Sequence, residues 1–258
     1  MLILLTNDDG IYAPGLAAMY KQLCTLGQVE VVAPEKVQSA TSHGITLSYP
    51  LLTQKVTATE FTGTAVDGRP ADCVKLAVSR LLPHPPDLVV SGINSGANTG
   101  INVIYSGTVA AAIEAAFLGL PAVAVSLYLR QNIPTDYQRA AQWAMETIRR
   151  LLDAGLGKGE VATVNLPALA PGQSPAGTRV VRQCTRSTMD TYEQRQDPRG
   201  RDYYWNSTRF NLGQTDVDTD VAALREGYIT VTPLEFDLTR YDLLERWRKG
   251  MVKNASPV

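Results

Sequence analysis

Histidine is scarce in this chain, with two in 258 residues, and the three cysteines, Cys24, Cys73 and Cys184, stand far apart with no Cys-x-x-Cys pair. Neither a disulfide framework nor a thiolate zinc site is suggested, and a reducing compartment, the cytoplasm, is the expected setting. A serine hydrolase would need a nucleophile elbow, and no Gly-x-Ser-x-Gly is present. The Lys of a Walker A loop is missing and no Gly-x-Gly-x-x-Gly follows a strand, which weakens both nucleoside-triphosphate hydrolysis and dinucleotide chemistry. Acidic and basic residues nearly cancel, 25 against 24 for a formal charge of -1, so no basic field would draw a nucleic-acid polymer. No apolar run is long enough to span a bilayer, and the apolar start lacks a basic region before it. Neither a membrane partner nor a signal peptide is expected.

What is present begins at once. Met1 to Leu5 is apolar and runs into Thr6-Asn7-Asp8-Asp9-Gly10, which reads as a buried parallel strand ended sharply by a turn. Asn-Asp-Asp-Gly is good turn chemistry by itself. It also places two carboxylates at the carboxyl end of a strand, where open α/β sheets bind their ligands. A helical spacing from Leu16 to Leu23 and a second apolar strand, Val29 to Ala33, complete a βαβ unit. The polar loop from Pro34 to Gly44 then lies at the same sheet edge, bringing Ser39 and His43 near Asp8.

Ile45 to Leu52 and Lys55 to Gly63 read as extended segments, a hairpin over one edge of the sheet. Gly68-Arg69-Pro70-Ala71-Asp72-Cys73 opens a helix over Val74 to Leu82, with Pro70 in its first turn. Asp87 to Ser91 is another buried strand. Behind it, Gly92 to Asn102 holds three glycines and three asparagines in eleven residues, a loop able to turn N–H groups inward and offer amide oxygens. Ser106-Gly107-Thr108 precedes an alanine-rich helix, Val109 to Leu118. Such a triplet is either an ordinary helix cap or an anion cradle, with free N–H donors, two hydroxyls and no Cβ at Gly107.

Pro121 to Ser126 continues the alternation, a helix follows from Tyr137 to Leu152, and Val161 to Pro167 is the next strand. The expected fold is α/β, a Rossmann-like, doubly wound and mostly parallel sheet over residues 1–167. Residues 168–258 read as a β-rich extension for oligomerisation, with extended segments at Val180 to Cys184, Tyr203 to Phe210 and Tyr228 to Leu234. A helix from Tyr241 to Arg248 and a frayed end from Lys253 complete it.

Asp8, Asp9, Ser39 and Asn94 are all oxygen donors on loops at one sheet edge, a set suited to a hard cation, Mg²⁺ or Mn²⁺. A cation beside a helix-terminal anion cradle points to phosphoryl-transfer chemistry. Here the chain also resembles a known family. Thr6 to Gly10, Val32-Ala33-Pro34, Gln38-Ser39-Ala40, Gly68 to Lys75, Ser91 to Asn98, Tyr105 to Val109, Val164 to Pro167 and Val231 to Leu234 are similar, in order, to the SurE family of survival-protein nucleotidases.

The resemblance implies a divalent-metal-dependent nucleotidase that removes phosphate from nucleoside 5'- and 3'-monophosphates and assembles as a homodimer or homotetramer. It assigns Asp8, Asp9, Ser39 and Asn94 to one Mg²⁺ or Mn²⁺ per subunit, with Asp8 and Asp9 catalytic. It assigns Asn98, Ser106, Gly107 and Thr108 to the phosphate. Two departures stand out: Thr41-Ser42-His43-Gly44 replaces the family's Gly-His-Ser/Ala run, and Tyr105 stands where several relatives carry His. Water is the favoured nucleophile, because the cation would occupy both carboxylates. Alternatives are a broader phosphatase or exopolyphosphatase and a nucleotide sensor without turnover.

Overall fold

The computed structural model describes residues 1–186, 191–206 and 215–252. Strand β1, Leu2–Thr6, is buried throughout. Its alternation serves two cores at once: Ile3 and Leu5 point to one face of the sheet and Leu4 to the other. Helix α1, Pro14–Leu23, has Pro14 in its first turn and buries Leu16, Met19 and Leu23 along one stripe. Strand β2, Gln28–Pro34, lies parallel to β1. Strands β3, Thr53–Thr57, and β4, Thr62–Val66, form an antiparallel hairpin whose second strand pairs with β2.

Helix α2, Pro70–Leu76, continues through a π turn over Ala77–Leu81. It leads to β5, Leu88–Ser95, which returns to pair with β1 on the side opposite β2. A short α3, Asn102–Tyr105, precedes α4, Gly107–Phe117; then come β6, Ala122–Leu127, α5, Tyr137–Asp153, and β7, Val161–Leu166. Among the described residues the main sheet has the order β3-β4-β2-β1-β5-β6-β7-β11-β8. Here β8 is Thr178–Val180 and β11 is Ile229–Leu234. The run from β4 to β7 is parallel, while β11 is antiparallel to β7. Helices α1 and α5 cover the face of Ile3, Leu5 and Val90, and α2 and α4 cover that of Leu4, Val32 and Val89. Each large aliphatic side chain buried in these layers contributes about 1.5–3 kcal/mol.

The chain leaves β1 toward β2 and crosses back from β4 to β5, so the winding reverses between β1 and β5. Ligand crevices in such sheets open at that point, beyond the carboxyl ends of the two strands.

Several elements differ from the sequence reading. The hairpin begins later than expected: no strand covers 45–52, where both carboxylate oxygens of Asp72 take the Thr46 N–H and Leu51 packs with the α2–α4 layer. Val180 to Cys184 yields only the end of β8, because the Cys184 N–H goes to Asp220 instead of a strand. Helix α6, Asp220–Arg225, was not expected; Thr219 caps it with its hydroxyl. Beyond residue 167, β11 and β8 extend the core sheet. A separate hairpin pairs β9, Tyr192–Gln196, with β10, Asp202–Asn206. Helix α7, Tyr241–Val252, runs a turn past the expected end. The extended reading of 207–210 and the fraying of 253–258 lie outside the described residues.

Candidate active site

The turn after β1 is held locally. Asn7 Nδ2 donates to the Gly10 carbonyl at 2.9 Å, and Gly10 sits at φ +94°, a region that favours glycine. The Gln38 N–H donates to the Asp8 carbonyl at 2.7 Å, which ties the loop after β2 to the turn after β1. Asp8 itself is 5 % exposed. Thr108 binds both of its carboxylate oxygens, the hydroxyl donating to Oδ1 at 2.5 Å and the N–H to Oδ2 at 3.1 Å.

Burial pushes the Asp8 pKa up to about 6; the Thr108 hydroxyl opposes this rise and the charge of Asp9 adds to it. No lysine or arginine among the described residues offsets the Asp8 charge. A desolvated carboxylate beside a second one, with no protein cation, is a site that favours a bound cation.

Strand β5 supplies the facing wall. Its register against β6 shifts between Ser91 and Asn94. Gly92 makes this possible: at φ +139°, a Cβ there would lie 2.3 Å from the Val125 carbonyl. Asn94 Nδ2 donates to the Gly96 carbonyl at 2.8 Å, leaving its amide oxygen to the crevice. The Ser95 N–H donates to Asp9 Oδ2 at 2.8 Å, and the Ser95 and Tyr137 hydroxyls lie 2.5 Å apart. Asn98 is buried, with its side-chain amide donating to Ser126 Oγ at 2.8 Å.

The N-terminus of α4 closes the third side. Ser106 caps it, its Oγ accepting the Val109 N–H at 3.1 Å. A Cβ on Gly107 would stand 2.9 Å from Asp8 Cβ and 3.0 Å from Asp8 Oδ2, so only glycine lets the helix end approach this closely. The sequence groups Thr108 with the phosphate-holding residues. In the structure both its N–H and its hydroxyl serve Asp8, because the helix start is packed directly against that carboxylate.

Asp8, Ser39, Asn94, Asn98 and Ser106 line one cavity of about 760 Å³, together with Asn102, Tyr105, Tyr128, Leu129 and Asn206. Asp9 and Thr108 are not among its lining residues; each is bonded to one, Asp9 to Ser95 and Thr108 to Asp8. Tyr128, Leu129 and Asn206 carry no local sequence signal, since nothing marks the segment after β6 and the end of β10 as neighbours of Asp8. Neither histidine enters the cavity. His43 Nε2 bonds Glu114 Oε2 at 2.8 Å, with Lys75 on the other oxygen at 2.9 Å, and His84 sits in an exposed turn.

A mostly parallel sheet with a buried carboxylate and a helix N-terminus at one crevice at its switch point defines a doubly wound α/β protein with an oxygen-donor, anion-receiving site. The family model described as Survival protein SurE matches residues 3–190. A 5'-nucleotidase SurE of Syntrophobacter fumaroxidans is 46 % identical over 246 residues, covering 95 % of this chain and 97 % of the relative. A second from Carboxydothermus hydrogenoformans is 45 % identical, covering 97 % of each. The crystal structure of the SurE protein from Aquifex aeolicus superposes with a TM-score of 0.83 at 36 % identity, over 96 % of this chain and 99 % of that one. The chain belongs to the SurE family. No helix among the described residues is long and apolar enough to cross a membrane.

Proposed function

We propose that this chain is a 5'-nucleotidase that hydrolyses nucleoside monophosphates to nucleoside and inorganic phosphate and acts on 3'- as well as 5'-monophosphates. The relatives named 5'-nucleotidase SurE, similar along nearly the whole chain, support the reaction. The observation that carries it is the buried Asp8 carboxylate, without a protein cation, directly beneath the N-terminus of α4.

Asp8, Asp9, Ser39 and Asn94 would hold one divalent cation. Their donor set of carboxylate, hydroxyl and amide oxygens fits Mg²⁺ or Mn²⁺. When bound, such an ion neutralises phosphate charge and favours attack by water. The protein's own part is positional and electrostatic. Thr108 fixes the Asp8 carboxylate, and Ser95 fixes that of Asp9. In this reading the N–H of Gly107, first of its helix and at the positive end of the dipole, and the second amide hydrogen of Asn98 receive the phosphate. Together they stabilise negative charge on the equatorial oxygens as the water oxygen bonds to phosphorus and the P–O ester bond breaks. The leaving oxygen takes up a proton, supplied overall by the attacking water, and departs as the nucleoside hydroxyl. The cavity volume of about 760 Å³ suits a nucleoside monophosphate.

Residues 168–258 serve assembly in this reading where they leave the core sheet, in the β9–β10 hairpin and α7, as a homodimer or homotetramer in the cytoplasm. Exposed Tyr192, Tyr204 and Trp205 on the β9–β10 hairpin, and Trp247 on α7, support a second copy as their cover.

The test is phosphate release from a panel of nucleoside 5'- and 3'-monophosphates and short polyphosphate, by metal-stripped protein with Mg²⁺ or Mn²⁺ restored. Metal-restored release from the nucleotides supports the proposal and ranks the bases. Release only from polyphosphate or other esters makes the chain a broader phosphatase, and nucleotide binding without release makes it a sensor.

A further inference from the structure

The loop between β5 and α3 belongs to no strand, yet two alternate residues in it are each gripped at both backbone groups by side chains from far along the chain. At Asn98 the N–H donates to Asn165 Oδ1 at 2.8 Å and the carbonyl accepts from Asn165 Nδ2 at 3.2 Å. At Gly100 the N–H donates to Asp220 Oδ2 at 2.7 Å and the carbonyl accepts from Gln183 Nε2 at 2.7 Å. Asn165 and Asp220 are each 1 % exposed. Asp220 Oδ1 also accepts the Cys184 and Val221 N–H groups, so this carboxylate is saturated by backbone donors.

Asn165 sits in the Val164-Asn165-Leu166-Pro167 stretch noted in the sequence, to which no role in the reaction has been given. It pairs with Ser126 across β6 and β7, and Ser126 Oγ accepts from Asn98 Nδ2. Neighbouring strands thus hold both the backbone and the side chain of one residue. A side chain that matches a backbone N–H and C=O at once fixes orientation as well as distance. The residue so fixed lines the cavity.

We infer that Asn165, with Ser126 beside it and Asp220 at Gly100, is a positioning residue that aims the Asn98 amide at the phosphate. This deepens the nucleotidase reading and rests on it. Asn165 touches neither the proposed cation ligands nor the cavity, so its effect divides the site: anion affinity depends on it and cation affinity does not.

The experiment uses the full chain and compares wild type, Asn165→Asp and Ser126→Ala. Asn165→Asp keeps the acceptor for the Asn98 N–H and sets an oxygen against the Asn98 carbonyl. Ser126→Ala removes only the hydroxyl and decides the case if the first variant does not fold. Each protein is assayed for KM with a nucleoside monophosphate, for inhibition by inorganic phosphate, and for Mn²⁺ affinity by calorimetry.

The expected result is KM and the phosphate inhibition constant rising together, about ten-fold for Asn165→Asp and about three-fold for Ser126→Ala. Mn²⁺ affinity stays within about two-fold, because Ser126 meets the proposed ligand Asn94 as a backbone strand partner and the side-chain bond removed is to Asn98. KM and phosphate inhibition unchanged, with only a fall in folded fraction, makes these residues merely structural and overturns the inference. So does a parallel loss of Mn²⁺ affinity. Wild type that neither turns over nor is inhibited by phosphate in the presence of Mn²⁺ removes the nucleotidase reading first, and this inference with it.

Discussion

Thr108 gives both of its polar hydrogens to Asp8, one to each carboxylate oxygen, across a hundred residues of sequence. A threonine at the second position of a helix thereby sets the plane of a carboxylate at the end of a strand. Thr108→Val keeps the shape and removes the hydroxyl. Losing an outer partner of a metal-binding carboxylate lowers metal affinity by about 10- to 100-fold. Calorimetric titration with Mn²⁺ checks this, and an unchanged affinity would falsify the link between Thr108 and the cation.

Asp8→Asn separates activity from stability. An asparagine here still accepts the Thr108 N–H and donates to its hydroxyl, while the uncompensated buried charge disappears. Turnover is abolished, metal binding is lost, and the metal-free protein becomes more stable by about 1–2 kcal/mol at neutral pH. Thermal melts with and without Mn²⁺ read both effects: the variant melts higher than metal-free wild type and ignores the ion. A variant with full activity would remove Asp8 from the site.

The raised pKa of Asp8 has a definite sign. Between its ordinary value of 3.8 and about 6 the folded protein binds this proton more tightly than the unfolded chain. The contribution of Asp8 to metal-free stability is therefore fully present at the acid end and falls as pH rises through about 6, by on the order of 3 kcal/mol. A divalent ion competes with that proton, so the melting shift produced by Mn²⁺ grows across the same window. A shift that is flat with pH would contradict this assignment.

Gly107→Ala sets helix propensity against the site. Alanine is the better helix former by about 1 kcal/mol, but its Cβ would meet Asp8 Cβ at 2.9 Å and Pro70 Cγ at 3.1 Å. The carboxylate must shift or the helix must back away. Activity falls about ten-fold or more, while the melting temperature, carrying both terms, moves little. Steady-state kinetics and a melt on the same preparation measure the two outcomes.

Glu114 is buried on α4 and accepts from His43 and Lys75. Burial raises its pKa, but the bonds from His43 and Lys75 outweigh this and hold it below its ordinary value. A depressed carboxylate stabilises the fold at neutral pH and loses that contribution as pH falls through its folded pKa. Glu114→Gln costs about 1 kcal/mol at neutral pH, since both partners are partly in solvent, and the difference from wild type narrows in acid. Urea denaturation at the two pH values tests the narrowing.

The legible parts of this molecule are those whose signal is local. Leu2 to Thr6 is an apolar run stopped by Asn-Asp-Asp-Gly, and in a parallel sheet that pattern fixes both the strand and the edge where its carboxylates lie. The alanines after Ser106-Gly107-Thr108 announce a helix and its exposed N–H groups in the same way.

What stayed hidden depends on partners far away. Ile45 to Leu52 has strand-forming residues, yet the Asp72 carboxylate takes its Thr46 N–H and no strand forms. The role of Thr108 toward Asp8, and the grip of Asn165 on Asn98, connect residues that nothing in the sequence pattern joins. Helix α6 carried a readable cap in Thr219, but six residues give too short a period to register.

The order of synthesis gives the loop clamp a further meaning. Every side chain proposed for the cation or the phosphate has been made once residue 108 is added. The side chains that hold the Asn98 and Gly100 backbone come only with Asn165, Gln183 and Asp220. At a ribosomal rate of about 5–20 residues per second, the nascent chain carries its reactive groups for several seconds before it can aim them. Full affinity for the phosphate is thus deferred until nearly the whole polypeptide exists, and a chain stalled before Asp220 has the parts of the site without the full clamp on Asn98 and Gly100.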